Sequence, residues 1–523
     1  MDRLKSNQKW IAPTIFGMAG FLLVLFTTAA YGAGISGDAV DYISTADSLK
    51  KNLGFTDFAG EPYIYWPPLY PMLLAGISWL TSLDTFVVGW LLNAICFGLI
   101  VYMTGLLFRR VFGHSSIWFY FGSLAALTSL PLLQLAANIT TDPLFIVLVL
   151  TYSLLADNYL ENQKSITLLG LGLIAGAAAV LRWHGVILVF AVVLVTLFAG
   201  RKNPKSVFLK AAWAGLLASA PFALWVLGRN YRLLGSFMGY RDTGDIQYAH
   251  NISDSAIKIA HWLLSDQILR YIHPVVLVGG GLLFLILLNR KQDWQTFFKR
   301  LADPKHLPWL VFAPVYYLFV IYTSIAYDHP TYFDDRYYAP LFVFVFLLLA
   351  LVVDGLILKP LKNRIPFSKK NFNLTRTFFI LMALVWLVYP TYRLYKYVVV
   401  SRAHGEPTYN IYNTDAYHHS ELIHYLDGLP LDGSKQLYSN YPAAVYFFTR
   451  QTTLRAPIAH SGDNTNLERL VSDYRDWPGG ESYLIWFLPN DWHYYYEPQD
   501  LAEVITITEL FSSKDGILFL VER

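Results

Sequence analysis

Repeated apolar runs of about 20 residues constrain this chain more than any other feature, because that is the length a helix needs to span ~30 Å of hydrocarbon. The first runs from Ile11 to about Tyr31, and others fall near 85–108, 116–134, 142–160, 166–181, 184–200, 207–228, 271–289, 307–326, 338–358 and 377–397. Only 15% of the 523 residues are charged and 55% are hydrophobic, against about 25% charge in a soluble domain. A water-soluble enzyme, a disordered chain and a disulfide-stapled secreted scaffold are thereby excluded. Cys96 is the single cysteine, so neither an internal disulfide nor a thiolate metal cluster can form. A net charge of +3 gives no footprint for nucleic acid.

The basic residues orient the spans. Arg3, Lys5 and Lys9 precede the first run, which lacks a small-residue cleavage site and reads as a retained span rather than a signal peptide. Eleven spans with a cytoplasmic N-terminus put Arg109/Arg110, Arg201/Lys202/Lys205, Arg290–Lys305 and Lys359–Arg376 on the cytoplasmic side, as the positive-inside rule requires. Segments 32–83, 132–141, 182–184, 229–270 and 327–337, and everything after about Lys396, then lie outside. From His404 the apolar runs shorten to Tyr483–Leu488, Val504–Thr508 and Ile517–Val521, separated by helical patterns at Asp415–Leu426 and Ala443–Thr449 and by Pro/Gly turns. The expected architecture is an all-α polytopic membrane domain of about eleven transmembrane helices over 1–400, including a first external loop at 32–83. A small extracytoplasmic α/β domain follows over 401–523.

Charge close to hydrocarbon is expensive and marks function, so charged residues in the outer segments are the site candidates. Asp38, Asp41 and Tyr42 share one face of a helix-like stretch at i, i+3 and i+4, with helix capping as the competing account of Asp38. In Tyr65-Trp66-Pro67-Pro68-Leu69-Tyr70-Pro71 the prolines force an extended entry, and Trp66 can stack on a pyranose or anchor at the interface. Asp142 stands before Pro143 at the start of a span, where capping competes again. Arg182 with His184, Arg229 in Arg229-Asn230-Tyr231-Arg232, Arg241 with Asp242, and Asp335, Arg336 and Tyr337 follow. Each alone reads as a snorkelling residue. Together they run against the positive-inside trend and read as a site that holds an anionic lipid headgroup beside a general base, since arginine clamps phosphate bidentately. The carboxylates Asp38 and Asp142 are also candidate ligands for a divalent metal accompanying that phosphate. His418, His419 and His424 have no matching partners and read as surface histidines.

This series of motifs resembles bacterial glycosyltransferases of the GT-C fold, in the broad polyprenyl-phosphate-sugar-dependent group of protein O-mannosyltransferases and lipid A aminoarabinose transferases. The resemblance lies in Asp38-x-x-x-Tyr42, Trp66–Pro71, Thr141–Leu144, Leu181–Trp183, Arg229–Tyr231 with Gly239–Arg241, and Asp335–Pro340. It covers residues 1 to about 400 in order, and 401–523 resembles the soluble domains that many such enzymes append. It implies a hexosyl- or pentosyltransferase that moves a sugar from a polyprenyl-phosphate donor, on the outer face of the bacterial cytoplasmic membrane. The acceptor hydroxyl could belong to a glycolipid, a polysaccharide or a protein. It further implies that Asp38 is the catalytic acidic residue of the first loop, Asp142 the second acidic position, and Arg336 and Tyr337 neighbours of the lipid phosphate. Two positions depart: Trp66 stands where aminoarabinose transferases carry lysine, and Asp41 where they often carry arginine. The alternatives are a transporter or flippase of lipid-linked saccharides, and a ligase or polymerase using a pyrophosphate lipid. The transporter reading lacks mid-span charges and paired broken helices.

Overall fold

The computed structural model describes residues 2–113, 116–200, 204–237, 248–326, 334–364, 369–429, 433–459, 467–488 and 495–523. Among them, six helices are long and apolar enough to cross a membrane: Trp10–Thr27, Thr85–Phe112, Asp142–Asn162, Lys205–Leu234, Pro304–Ser324 and Asp335–Leu361. Two pairs qualify together but are bent, Ile117–Leu127 with Leu130–Ala136 by 52° and Pro274–Leu288 with Lys291–Leu301 by 118°. Ser165–Leu181 and Trp183–Ala199 are apolar but shorter, and 377–397 lies inside the helix Lys369–His404. The expected eleven spans are therefore not eleven uniform crossing helices. The first bend has a local cause: Ser129 Oγ accepts from Leu132 N–H, and Pro131 enters the new helix where its missing donor costs nothing. At the second, Asn289 and Arg290 leave helical conformation and Asp293 Oδ2 accepts from Arg290 N–H at 2.9 Å.

The chain forms two compact units, the first of 1–27, 64–69 and 91–399, the second of 28–63, 70–90 and 400–523. In the first, close helix packing uses small residues. A Cβ on Gly98 would lie 2.7 Å from the Gly17 carbonyl oxygen, the kind of backbone approach membrane helices make through glycine. Charges gather at helix ends. Arg110 pairs with Asp157 and with Glu161 (3.1 Å), while Arg300 and Lys359 (3.1 Å) both pair with Asp354.

The second unit holds a five-stranded mixed sheet built from Leu437–Ser439 (β1), Thr453–Arg455 (β2), Ser482–Phe487 (β3), Thr506–Ser513 (β4) and Gly516–Glu522 (β5). The order is β2-β1-β3-β5-β4, with β1 parallel to β2 and β3, and β5 antiparallel to β3 and β4. Side chains alternate along β3, as strand geometry dictates. Leu484 and Trp486 pack with Trp477, Leu501 and Val521, while Ile485 and Phe487 pack with Leu422, Leu426 and Val445. The three expected strands are β3, β4 and β5. The helical pattern at 415–426 is two helices, Asp415–His418 and Glu421–Gly428, with Ser420 capping the second.

Most of residues 32–83 packs in the second unit. Asp47 Oδ2 accepts from Tyr446 Oη at 3.1 Å and from Arg450 Nη1 at 3.4 Å, and the Phe58 carbonyl accepts from Thr453 N–H at 3.1 Å. The exception is 64–69, the aromatic-Pro-Pro segment, which belongs to the first unit.

Candidate functional site

Asp142 opens the helix Asp142–Asn162, yet it caps nothing: the cap position is Thr141, which makes no side-chain cap hydrogen bond. One Asp142 carboxylate oxygen pairs with Arg182 Nη1 and the other with Arg336 Nε at 2.9 Å. The Asp142 side chain is 0% exposed, that of Arg182 9% and that of Arg336 19%. Two guanidinium groups thus face the one buried Asp142 carboxylate. Charged groups clustered beside apolar helices are expensive and mark a candidate site.

Each member is held from behind. Arg182 leaves the helix Ser165–Leu181 in extended conformation and enters the turn Trp183–Gly185, closed by Gly185 N–H donating to the Arg182 carbonyl at 2.8 Å. Gly185 is required there for space, since a Cβ would overlap the Ala178 carbonyl oxygen. The loop before Asp142 is fixed by Asn93, whose Nδ2 donates to the carbonyls of Asn138 (2.6 Å) and Thr140 (3.0 Å). Sequence reasoning missed Asn93. The signal was an amide in an otherwise apolar run, which a bilayer tolerates only with a partner. Arg336 is set by Asp334, whose Oδ1 accepts from Arg336 N–H at 3.2 Å, and by Asp335, whose Oδ1 accepts from Trp262 Nε1 at 3.2 Å. Tyr316 Oη donates to the Tyr337 carbonyl at 3.0 Å, and the Arg182 guanidinium lies 5.9 Å from the Tyr337 ring centre. The His184 ring contacts those of Tyr316, Phe319 and Tyr337, with centres 6.0, 5.6 and 6.0 Å away.

Trp66 is half-buried, and its segment is strapped to the Arg182 turn. Trp183 Nε1 donates to the Tyr65 carbonyl at 2.9 Å and Asn230 Nδ2 to the Ile64 carbonyl at 3.2 Å. Asn230 ends a π-helical turn, Val226–Asn230, a device that re-aims side chains within a helix. In it Arg229 lies 4.4 Å over the Trp225 ring and donates from Nη1 to Asn230 Oδ1 at 3.2 Å.

The structure thus gathers Asp142, Arg182, His184, Arg336 and Tyr337, with the Trp66 segment tied to the same turn. Asp335 engages Trp262 rather than the arginines, and Arg241 lies outside the described residues. Asp38, Asp41 and Tyr42 belong to the second unit, on the helix Gly37–Lys50. Its cap is Ser36, whose Oγ accepts from Ala39 N–H at 3.4 Å, so Asp38 sits inside the first turn and is not the cap. Tyr42 is buried edge-on against Tyr70 at 5.2 Å.

A divalent metal does not fit Asp142. Both carboxylate oxygens face guanidinium groups that repel a cation, and among the described residues no three His, Cys, Asp or Glu converge. The expectation of three surface histidines fits His419 and His424, both exposed, and needs correction at His418. His418 is half-buried, stacks on Tyr31 at 4.3 Å and shares a 2.7 Å hydrogen bond with Asn413 Oδ1. Burial holds its pKa below the usual histidine value. His419 lies 3.2 Å from Asp415 and His424 shares a 2.7 Å bond with the Ser420 carbonyl.

No family model and no curated protein matches the chain. Among solved structures, ArnT from Cupriavidus metallidurans in the apo state superposes with a TM-score of 0.57 at 14% identity, over 98% of each chain. The chain has the GT-C fold. ArnT bound to undecaprenyl phosphate gives a TM-score of 0.57 at 15% identity over 97% of each chain. The arabinosyltransferase EmbB from Mycobacterium smegmatis aligns at a TM-score of 0.33 and 12% identity, over 75% of this chain and 42% of its own.

Proposed function

We propose that this chain is a membrane glycosyltransferase that moves a sugar from a polyprenyl-phosphate donor to an acceptor hydroxyl, on the outer face of the bacterial cytoplasmic membrane. One observation carries the reading: Arg182 and Arg336 converge on the buried Asp142 carboxylate, on the fold of a protein solved with undecaprenyl phosphate.

The chemistry follows from the leaving group. The bond between the anomeric carbon and the phosphate oxygen breaks, and the phosphate departs with the electron pair as a stable anion. It therefore needs charge neutralisation rather than a general acid, which Arg336 and Arg182 supply. The acceptor oxygen attacks the anomeric carbon from the opposite side, inverting it, and its proton passes to the Asp38 carboxylate as general base. Asp142 holds the two arginines in register, and both its oxygens are committed to them. Tyr337, His184 and the Trp66 segment form the walls beside the arginines. Arg229, on the helix whose Asn230 fastens that segment, is a further cation for the donor.

The test is turnover in proteoliposomes supplied with a polyprenyl-phosphate sugar, with binding of undecaprenyl phosphate measured in parallel. Asp38→Asn should lower the rate by roughly 10²–10⁴ while leaving lipid binding intact. Arg336→Ala should weaken lipid binding by roughly tenfold or more, the loss of one charge-assisted hydrogen bond. Near wild-type turnover in the first variant removes Asp38 as base, and unchanged binding in the second removes the phosphate clamp.

A further inference from the structure

We infer that the loop Glu406–Asn413 positions the Asp38 carboxylate, with Asn410 and Asn413 as positioning residues. The inference rests on the reading of Asp38 as the general base.

The segment just ahead of the Asp38 helix has no regular secondary structure of its own to satisfy its backbone. Its polar groups are taken up by this loop. Asn413, 1% exposed, donates from Nδ2 to the carbonyls of Tyr31 (2.7 Å) and Ala33 (2.8 Å). Asn410 Oδ1 accepts from Ile35 N–H at 2.9 Å, and the Ile35 carbonyl accepts from Ile411 N–H (2.8 Å) and Tyr412 N–H (3.1 Å). Ile35 immediately precedes Ser36, the cap of the helix, and Asp38 follows in its first turn. Any displacement of Ile35 is therefore passed to Asp38 through only Ser36 and Gly37, with little slack to absorb it.

The loop is itself prebuilt. Glu406, 2% exposed, gathers three backbone donors: Thr408 N–H (3.0 Å), Tyr409 N–H (2.8 Å) and Asn410 N–H (3.1 Å). Charge-assisted bonds of this kind are about twice as strong as neutral ones. Asn410 is braced by donating from Nδ2 to the Asn413 carbonyl (2.6 Å) and accepting from Asn413 N–H (2.8 Å). Asn413 Oδ1 shares its remaining capacity with His418, whose ring lies flat on Tyr31. A second side closes the clasp, where Tyr31 Oη donates to Asp415 Oδ1 at 2.6 Å. Tyr412 belongs to the same loop. Burial above all, then the nearby tyrosines and Asp41, push its hydroxyl up to about 12.

A stabilising loop would be unremarkable. A loop that fastens the backbone one residue before the cap of a catalytic helix is a positioning device, because a 1 Å misplacement of a reacting group costs on the order of 10²-fold in rate.

The experiment uses the full chain in nanodiscs and two variants, Asn413→Ala and Glu406→Gln, beside Asp38→Asn. Three readouts are taken: kcat, apparent KM for a polyprenyl-phosphate sugar, and hydrogen exchange of the amides in 38–45. Asn413→Ala should lower kcat by roughly 10–100-fold with KM changed less than about threefold, and should speed exchange in 38–45. Glu406→Gln keeps the shape of the side chain but not its charge, and should give a smaller effect in the same direction. It decides the matter if Asn413→Ala does not fold. Unchanged exchange in both variants overturns the clasp. Faster exchange with unchanged kcat, while Asp38→Asn is inactive, overturns its catalytic role. If Asp38→Asn turns over normally, the base assignment fails, and exchange alone then decides whether the loop sets the helix.

Discussion

Replacing Asp142 by asparagine keeps the shape of the side chain and deletes the carboxylate charge that both Arg182 and Arg336 face. The two guanidinium groups then face a neutral amide, with almost no loss of volume. At the 2.9 Å separation to Arg336, and with an effective dielectric of about 20, one such pair is worth on the order of 6 kcal/mol before desolvation. Much of that gross attraction only offsets desolvation, and truncating one partner of a buried pair costs about 3–5 kcal/mol in practice. Asp142→Asn should therefore destabilise the protein by that amount. Adding Arg336→Met removes one of the two cations and leaves Arg182 facing a neutral amide. The double variant should then be more stable than the sum of the singles predicts. A coupling of about 0.5–3 kcal/mol is the range for residues sharing such a network. The assay is equilibrium unfolding of the four proteins in mixed micelles, with undecaprenyl phosphate binding measured on each folded form. Asp142→Asn should retain binding better than Arg336→Ala does, because it keeps both cations. If Asp142→Asn lies within about 0.5 kcal/mol of wild type, or the two changes simply add, the carboxylate is not what holds the arginines.

Two further outcomes follow from the packing and the titration. Gly185→Ala forces a Cβ into the Ala178 carbonyl oxygen and should cost about 1–3 kcal/mol or more, as overpacking does; Gly76→Ala, with nothing within 4 Å, is the control that should behave as wild type in thermal unfolding. The lowered pKa of His418 means that the unfolded chain binds its proton first, near pH 6.5. Stability should then fall as pH drops below about 6.5, and the slope of melting temperature against pH between 7 and 5 should flatten in His418→Gln; equal slopes would exclude His418 as the titrating group.

The membrane helices are legible because hydropathy over 20 residues is a strong, local signal: Thr85–Phe112, Asp142–Asn162 and Pro304–Ser324 lie within a few residues of their expected ranges. The bends are not, because a Ser-Leu-Pro sequence at 129–131 interrupts a helix without interrupting its hydropathy. In the second unit β3, β4 and β5 announce themselves as apolar runs, whereas β1 and β2 are three residues each, too short to alternate. Asp142, Arg182 and Arg336, which meet in the structure, stand out in the sequence through their charge in segments placed outside. Their partnership is harder to read, since spacing puts Asp142 at a helix start but says nothing of which cation, 40 or 194 positions away, it will face. The Glu406–Asn413 loop is invisible for the same reason. Its work is done by amides and backbone groups, and its partners lie about 380 positions earlier.

The composition of the second unit has a consequence for how the protein comes into being. Residues 28–63 and 70–90 emerge early, but their partners in 400–523 emerge only after 91–399 has been made. Strand β5, which lies between β3 and β4 in the sheet, comes after both in translation order. Throughout that interval the early segment lacks its partners in 400–523, and non-local pairing of this kind is slow and exposed to misassembly. The early segment bearing Asp38 therefore waits on residues 400–523, the last to be made, before its unit can be completed.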